Sequence, residues 1–181
     1  MNGNNENTGY PVFLLNIVDK VVNNMELWDL YDRNRNKLNK DHIRGEKLSK
    51  GEYHLVVHVW IKNDKNEYLI SQRSQNKKYP LFWECVGGSV IKDETTYDAA
   101  IRETFEEVGV DLKNSDFSLI TTFIRDEYQD IVDVYEFNYN GEPSLELATT
   151  DEVIDVKWMK KEEIATLYKQ GKLMKTLKYY L

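Results

Sequence analysis

The chain is poor in cysteine, with Cys85 alone among its 181 residues. A single cysteine excludes a disulfide within the chain and is typical of a reducing compartment. No apolar run approaches the roughly 20 residues that a membrane-spanning helix needs, and residues 1–13 lack the basic segment with which a secretory signal begins. The sequence therefore predicts a cytoplasmic protein with no membrane-spanning part.

Positive charge is also in short supply. Lysine and arginine total 24 residues against 31 aspartates and glutamates, which leaves a net charge of -7. A protein that binds long nucleic acids needs a basic surface for the phosphate backbone, so the composition argues against a nucleic-acid partner. A small phosphorylated substrate remains compatible with it, because a bound metal ion can supply positive charge.

The length and the 41% hydrophobic content fit one domain with a short appendage. Residues 1–24 are interpreted as an N-terminal extension with a short amphipathic helix around Val12–Val22, and residues 25–181 as the domain itself. The apolar side chains of that helix and those of the C-terminal Tyr179–Leu181 must be buried from water against another surface. A homodimer is therefore compatible with the sequence, which does not decide the point.

Between Tyr53 and Ile61 apolar side chains occupy both alternating faces, which predicts a strand buried on both sides. Further strands are predicted at Glu67–Arg73, Phe117–Ile124, Ile131–Tyr139 and Val153–Trp158, and helices at Lys160–Lys169 and Leu173–Leu181. Strands mixed with a few helices predict an α/β fold with a mixed sheet that is covered on both faces.

The most informative segment runs from Gly88 to Val110 and reads GSVIKDETTYDAAIRETFEEVGV. Apolar or small residues recur in it three and four positions apart, which predicts one stripe of a helix. These residues are Tyr97, Ala100, Ile101, Thr104, Phe105 and Val108. Thr95 is the predicted N-cap and Gly109 the left-handed residue that ends the helix. A turn at Gly87–Gly88 is predicted to precede it.

The other side of this helix carries three glutamates, Glu103, Glu106 and Glu107, one turn apart. Like charges at this spacing repel one another and weaken a helix. A hard divalent cation would convert them into a binding site, because Mg²⁺ and Mn²⁺ prefer carboxylate oxygens. Arg102 lies beside the cluster and can hold a carboxylate in place or balance its charge. The alternative interpretation is an acidic helix face that simply contacts water.

These residues resemble the signature of the Nudix family, G-x5-E-x7-R-E-U-x-E-E-x-G-U, in which U is a bulky aliphatic residue. The matching positions are Gly88, Glu94, Arg102, Glu103, Glu106, Glu107, Gly109 and Val110. Thr104 departs from the pattern, but it lies on the apolar stripe and not on the acidic face. The resemblance implies the α/β/α sandwich of that family. It also implies hydrolysis of a phosphoanhydride bond in a nucleoside diphosphate linked to another moiety, with Mg²⁺ or Mn²⁺ as cofactor.

Carried over position by position, the resemblance makes Glu103 and Glu107 the foremost metal ligands. Glu106 is a further ligand, or acts through a metal-bound water, and the backbone carbonyl of Gly87 (or of Gly88) can add an oxygen. Glu103 is also a candidate general base. Arg102 joins Glu103 and Glu106 in the catalytic group as an orienting residue.

Two more functional groups are expected outside the helix. Arg73 and Lys77 are predicted to bind the diphosphate of the substrate. The resemblance implies this role, because matching positions contact the diphosphate in type I isopentenyl-diphosphate isomerases, which belong to a related Nudix branch. A further acidic metal ligand is expected from elsewhere in the chain. The candidates are Glu127, Asp130 and Asp133, among which the sequence does not choose.

The segments from Asp29 to Arg73 and from Asp151 to Ile164 resemble the Nudix branch that includes type I isopentenyl-diphosphate isomerase. An isomerase is therefore the rival function, and a non-catalytic nucleotide-binding module is a third. In the isomerases a catalytic cysteine and a metal-binding histidine occupy the positions that are Gly87 and Ser89 here. These replacements favour hydrolysis. Cys85, His54 and His58 are interpreted as buried packing residues rather than as a nucleophile or metal ligands.

Overall fold

The computed structural model describes residues 26–181, so the predicted extension of residues 1–24 and its helix lie outside the described part. The described chain forms nine strands, two α-helices and a C-terminal 3-10 helix. The strands are β1 Leu27–Tyr31, β2 Lys37–Ile43, β3 His54–Lys62, β4 Glu67–Arg73, β5 Trp83–Glu84, β6 Val86–Ser89, β7 Phe117–Arg125, β8 Asp130–Asn138 and β9 Val153–Lys160. The helices are α1 Thr96–Val108 and α2 Lys161–Lys169, and the 3-10 helix is Lys175–Tyr180.

Seven of the strands form a mixed sheet in which β5, β4, β3, β8 and β7 are successive neighbours. Strand β3 runs parallel to β8, with His54 opposite Asp130 and Lys62 opposite Asn138. β3 and β4 pair antiparallel at Lys62 and Tyr68. Further along, β3 pairs with β6 and β4 pairs with β5 and β9. Residues 83–89 thus pair first with β4, as β5, and then with β3, as β6. The cleft described below lies at this crossing from one strand to the other.

Strand β3 is buried on both faces, as predicted, because each face supports a separate core. Val57, Val59 and Ile61 pack in the first core with Ala100 and Val108 of α1. On the opposite face, the second core joins Trp60 to Ile164 of α2 and to Leu173 and Leu177 near the C-terminus. The expected α/β architecture with a covered mixed sheet is therefore confirmed. Within residues 26–181, no helix is long and apolar enough to cross a membrane.

Most predicted elements appear within two residues of their expected ends, and Glu67–Arg73 forms β4 as predicted. The turn predicted at Gly87–Gly88 is wrong, since both glycines lie in β6 and pair with His58 and Val57 of β3. A glycine pair is usually read as a turn, but here its lack of side chains lets two chain segments approach closely. Strand β2 was also not predicted; it is mostly exposed and lysine-rich, so alternation gave no signal.

Helix α1 has the predicted ends. The Thr95 hydroxyl accepts a hydrogen bond from the Asp98 backbone N–H, and Gly109 has a left-handed φ of 66°. A side chain at Gly109 would also place its first carbon 2.0 Å from the Ser144 carbonyl oxygen, so glycine is required there. Phe105 departs from the predicted buried stripe, because it is 40% exposed while Ala99 is buried.

Asp133 on β8 anchors the first residue of α1 to two other elements. It is 1% exposed, and its carboxylate accepts two hydrogen bonds of 2.6 Å from Arg35 in the β1–β2 turn. It also accepts from the hydroxyls of Thr96 and Thr122, both at 2.7 Å. Burial alone would raise the pKa of Asp133, but these hydrogen bonds outweigh it and lower the pKa below its usual value.

We expect Asp133→Asn to lower the free energy of unfolding by about 3 kcal/mol at pH 7, because a buried ion pair loses one charge. The matched control is Asp41→Asn, whose carboxylate pairs with Lys92 at the surface, and it should cost less than about 1 kcal/mol. Urea unfolding measures both. Because the folded-state pKa of Asp133 is lowered, its contribution is complete above the usual value of 3.8 and is lost as the pH falls below it. Equal losses in the two variants would contradict this role.

Candidate active site

A cleft of about 360 Å³ lies where the chain crosses from β4 to β3. One wall is the acidic side of α1, which contributes Glu103, Glu106 and Glu107. Gly87 and Gly88 of β6 form part of the floor, and Arg73 and Lys77 enter from the end of β4 and the loop after it. The structure thus brings together the residues predicted separately from the helix pattern and from the cationic pair.

Glu107 is the most unusual residue of the cleft. It is 2% exposed, and its Oε2 atom has no hydrogen-bond partner within the described part of the chain. Burial, reinforced by the negative charges of Glu84 and Glu103, raises the pKa of Glu107 to about 8 although Lys77 opposes the shift. A buried carboxylate oxygen without a partner is costly, so this position is built for something other than stability.

Arg102 organises the other carboxylates of α1. Its Nε and Nη2 donate to Glu94 at 2.8 and 2.9 Å, and Nη1 donates to Glu103 at 2.8 Å and to Glu106 at 3.0 Å. Nη2 also donates to the Ser89 carbonyl oxygen, which ties the helix to β6. Burial raises the pKa of Glu103, and the charge of Arg102 opposes that rise. Arg102 therefore fixes where Glu103 and Glu106 lie.

Gly88 is required by its closeness to Glu103. A first side-chain carbon at Gly88 would lie 2.1 Å from the Glu103 carboxyl carbon, far inside contact distance. The glycine therefore lets a carboxylate of α1 rest against the β6 backbone. Any larger residue would displace Glu103 from the cleft.

The predicted diphosphate-binding cations are both paired with acids. Arg73 Nη1 donates to Glu84 at 2.6 Å, and Lys77 Nζ donates to Glu107 at 3.1 Å. Lys77 also forms an ion pair with Glu152. Burial would lower the pKa of Lys77, but the charges of Glu107, Glu152 and Glu84 outweigh it and raise the pKa. Both cations are thus held at the cleft in charged form.

Comparison with known proteins identifies the family. The family model of the NUDIX domain matches residues 52–178. The chain belongs to the Nudix family. An uncharacterised Nudix hydrolase of Listeria innocua is 41% identical over 156 residues, which cover 83% of this chain and 89% of the relative. The expectation that the chain is a Nudix hydrolase is therefore confirmed.

The wider comparisons separate fold from function. A crystal structure from Deinococcus radiodurans has a TM-score of 0.69 at 21% identity and covers 82% of this chain and 91% of its own, which shows the shared fold. An isopentenyl-diphosphate Delta-isomerase of Salmonella paratyphi B is 38% identical over 61 residues, covering 33% of this chain and 34% of the isomerase. This isomerase match therefore covers about a third of each of the two chains.

None of the acidic candidates outside the Nudix signature lies in the cleft. Asp133 is bound by Arg35 and two threonines, Asp130 is bound by Arg125 at 2.6 Å, and Glu127 is exposed. Glu84 and Glu152 line the cleft instead. Neither was among the predicted ligands, because the approach of Glu84 and Glu152 to the cleft depends on the pairing of β4 with β5 and β9. The one available signal was that Glu84 lies in the short segment between the cationic pair and the glycines.

The three residues interpreted as packing groups, His54, His58 and Cys85, are all buried, but only two of them line the cleft. His54 and His58 are each 8% exposed and Cys85 is 3% exposed. Burial raises the pKa of the Cys85 thiol well above its usual range, so the thiol is not a ready nucleophile. His58 and Cys85 line the cleft, whereas His54 stacks on Trp28 with ring centres 3.9 Å apart.

The donor set of the cleft fits a hard divalent cation. It offers the partnerless Oε2 of Glu107, the carboxylates of Glu103 and Glu106, and nearby backbone carbonyls of β6. Within residues 26–181, no three acidic, histidine or cysteine side chains already converge on a single point, since Arg102 holds Glu103 and Glu106. The fit therefore rests on the chemistry of the donors and on the unsatisfied oxygen of Glu107.

Proposed function

We propose that this Nudix hydrolase cleaves a phosphoanhydride bond in a small diphosphate compound, a nucleoside diphosphate linked to another moiety, with Mg²⁺ or Mn²⁺ as cofactor. The observation that carries the proposal is Glu107, a buried carboxylate with a partnerless oxygen beside two other acids of the same helix. Neighbouring carboxylates that repel one another in the absence of a cation form a site suited to binding one. A cytoplasmic location, suggested by the single cysteine, is part of the proposal.

In this proposal Glu103, Glu106 and Glu107 hold the cation, together with a backbone carbonyl of Gly87. The bound cation supplies positive charge for the bridging phosphates and lowers the pKa of water. Arg73 and Lys77 bind the diphosphate oxygens and orient the bond that breaks. Arg102 keeps Glu103 in place, and Glu103 can accept a proton from the attacking water. Water adds to one phosphorus while the bridging oxygen leaves with the other phosphate, so two phosphorylated products form.

The test is phosphate-product release from nucleoside diphosphates, nucleotide sugars, dinucleoside polyphosphates and isopentenyl diphosphate, with Mg²⁺ and with a chelator. We expect cleavage of one nucleotide class that the chelator abolishes. Mg²⁺ at a hundred times its dissociation constant should also stabilise the protein by about 2.7 kcal/mol. Isomerisation of isopentenyl diphosphate without phosphate release would instead favour the isomerase, and nucleotide binding without turnover the non-catalytic module.

A further inference from the structure

Five residues that line the cleft have no role in the proposed hydrolysis. They contribute no charge and are Val56, His58, Cys85, Thr176 and Leu177. Cys85 and Leu177 belong to the second core and Val56 packs against it, while His58 stacks on the ring of Tyr179. We call these five residues the uncharged wall. The C-terminal 3-10 helix supplies two of them, so the end of the chain helps to shape the cleft.

Within this wall, hydrogen bonds from the C-terminal helix orient the ring of His58. Trp60 Nε1, which can only donate, lies 3.2 Å from the Tyr179 hydroxyl oxygen. The hydroxyl lies 2.8 Å from His58 Nδ1. With the oxygen accepting from Trp60, donation of its own proton to Nδ1 is the arrangement that gives each of the three groups a partner. The remaining proton of the neutral ring then resides on Nε2. His58 is 8% exposed and its ring hydrogen-bonds to no carboxylate within residues 26–181, and burial of this kind favours the neutral form.

Because Tyr179 occupies Nδ1, Nε2 is the polar ring atom that His58, as a lining residue, can offer to the cleft. The carbon next to Nε2, Cδ2, is the ring atom nearest to Gly87, at 3.4 Å from where a side-chain carbon would begin. Gly87 itself lines the cleft. Within residues 26–181, Tyr179 is the hydrogen-bond partner of His58, through Nδ1, and Nε2 has none. With Tyr179 donating to Nδ1, Nε2 is an N–H donor without a protein partner in the described chain, beside the proposed diphosphate site.

The charge of the cleft indicates what this donor contacts. The cations that line it are each paired with carboxylates: Arg44 with Glu26, Arg73 with Glu84, Lys77 with Glu107 and Glu152, and Arg102 with Glu94, Glu103 and Glu106. Arg73 and Lys77 are already assigned to the diphosphate, and the uncharged wall adds no further cation. An additional phosphate placed there would lose water without gaining a charge partner. An uncharged group with an acceptor oxygen would lose less and gain a hydrogen bond.

We propose that His58 is a specificity-determining residue whose Nε2–H donates to an acceptor oxygen of the uncharged moiety attached to the diphosphate, and that Tyr179 positions it. This inference rests on the proposed hydrolase function. It predicts that the enzyme prefers a nucleoside diphosphate with a neutral substituent, such as a sugar, over a nucleoside triphosphate.

The kinetic test uses His58→Phe, with a nucleotide sugar and the matching nucleoside triphosphate as substrates. We expect KM for the nucleotide sugar to rise about tenfold, the equivalent of one lost hydrogen bond, with kcat and the triphosphate reaction little changed. His58→Gln, which retains an N–H donor, should recover part of the loss. The matched control is His54→Phe, an equally buried histidine of the same strand that does not line the cleft. Equal changes for both substrates would overturn the assignment.

A second test does not depend on turnover. The chain has three histidines, so two-bond ¹H–¹⁵N correlation spectra can resolve each ring. We expect His58 to carry its proton on Nε2, that proton to shift when a nucleotide sugar is added with Mg²⁺, and Tyr179→Phe to mix the tautomers. A proton on Nδ1, or no shift with a ligand that binds, would overturn the role of His58. Failure of every substrate to be cleaved would count against the hydrolase proposal, while these spectra still decide the inference.

Discussion

Glu107→Gln is expected to lower metal-dependent turnover by about three orders of magnitude, because it removes a charged ligand from a site that stabilises the transition state by several kcal/mol. The amide keeps the volume of the side chain but cannot supply the second anionic oxygen. The control is Glu162→Gln, which neutralises an exposed helical glutamate of α2 far from the signature helix. Turnover of the Glu107 variant within tenfold of the original protein would exclude Glu107 as a metal ligand.

The same substitution should make the metal-free protein more stable at alkaline pH. Between the usual pKa of 4.5 and the raised value of about 8, the folded state keeps a proton on Glu107 that the unfolded state has released. The free energy of unfolding therefore falls as the pH rises through this window, by at most about 1.4 kcal/mol per pH unit, and levels off above it. Glutamine does not titrate, so the variant should lack this slope.

Mg²⁺ should reverse the order of stability. A cation that binds the ionised carboxylate displaces the proton, so its affinity for the original protein should increase as the pH rises toward 8. At pH 8, Mg²⁺ should raise the melting temperature of the original protein and leave that of Glu107→Gln nearly unchanged. Thermal unfolding at pH 5 and pH 8, with Mg²⁺ and with chelator, measures both effects. If Mg²⁺ stabilises the two proteins equally, the cation binds elsewhere.

The helix that carries these residues could be predicted almost completely from the sequence. Thr95 and Gly109 mark its ends through local capping chemistry, which depends on neighbours in the chain. The burial of Ala100, Thr104 and Val108 follows from helical spacing, and the Thr104 hydroxyl donates to the Ala100 carbonyl oxygen at 2.7 Å. Periodicity alone therefore identified the acidic face and its residues.

What the sequence could not provide were contacts set by the path of the sheet. Gly87 and Gly88 resembled a turn because glycine marks both turns and close approaches, and the partner strand β3 lies some thirty residues earlier. Glu152 reaches the cleft from just before β9, through an ion pair with Lys77. Asp133 resembled a possible ligand by its position, yet its oxygens are already bound by Arg35, Thr96 and Thr122. Each depends on residues distant in the chain.

Arg102→Met is expected to lower the free energy of unfolding by about 3 kcal/mol, because it leaves several largely buried carboxylates without their shared cation. Methionine retains much of the apolar length of the arginine, so the loss reports the guanidinium. The matched control, Arg33→Met, removes an exposed ion pair with Asp126 and should have a much smaller effect on stability. Urea unfolding of the two variants at pH 7 compares them directly.

The pH dependence distinguishes an electrostatic loss from a packing loss. Without Arg102, the pKa of Glu103, already raised by burial, should rise further. Carboxylates with raised pKa values destabilise the folded state increasingly as the pH rises above the usual value of 4.5. The deficit of Arg102→Met should therefore be larger at pH 8 than at pH 5. Arg102→Lys restores the charge but not the paired contacts with Glu94, so it should recover only part of the stability. A deficit of Arg102→Met that does not change with pH would instead assign Arg102 a packing role.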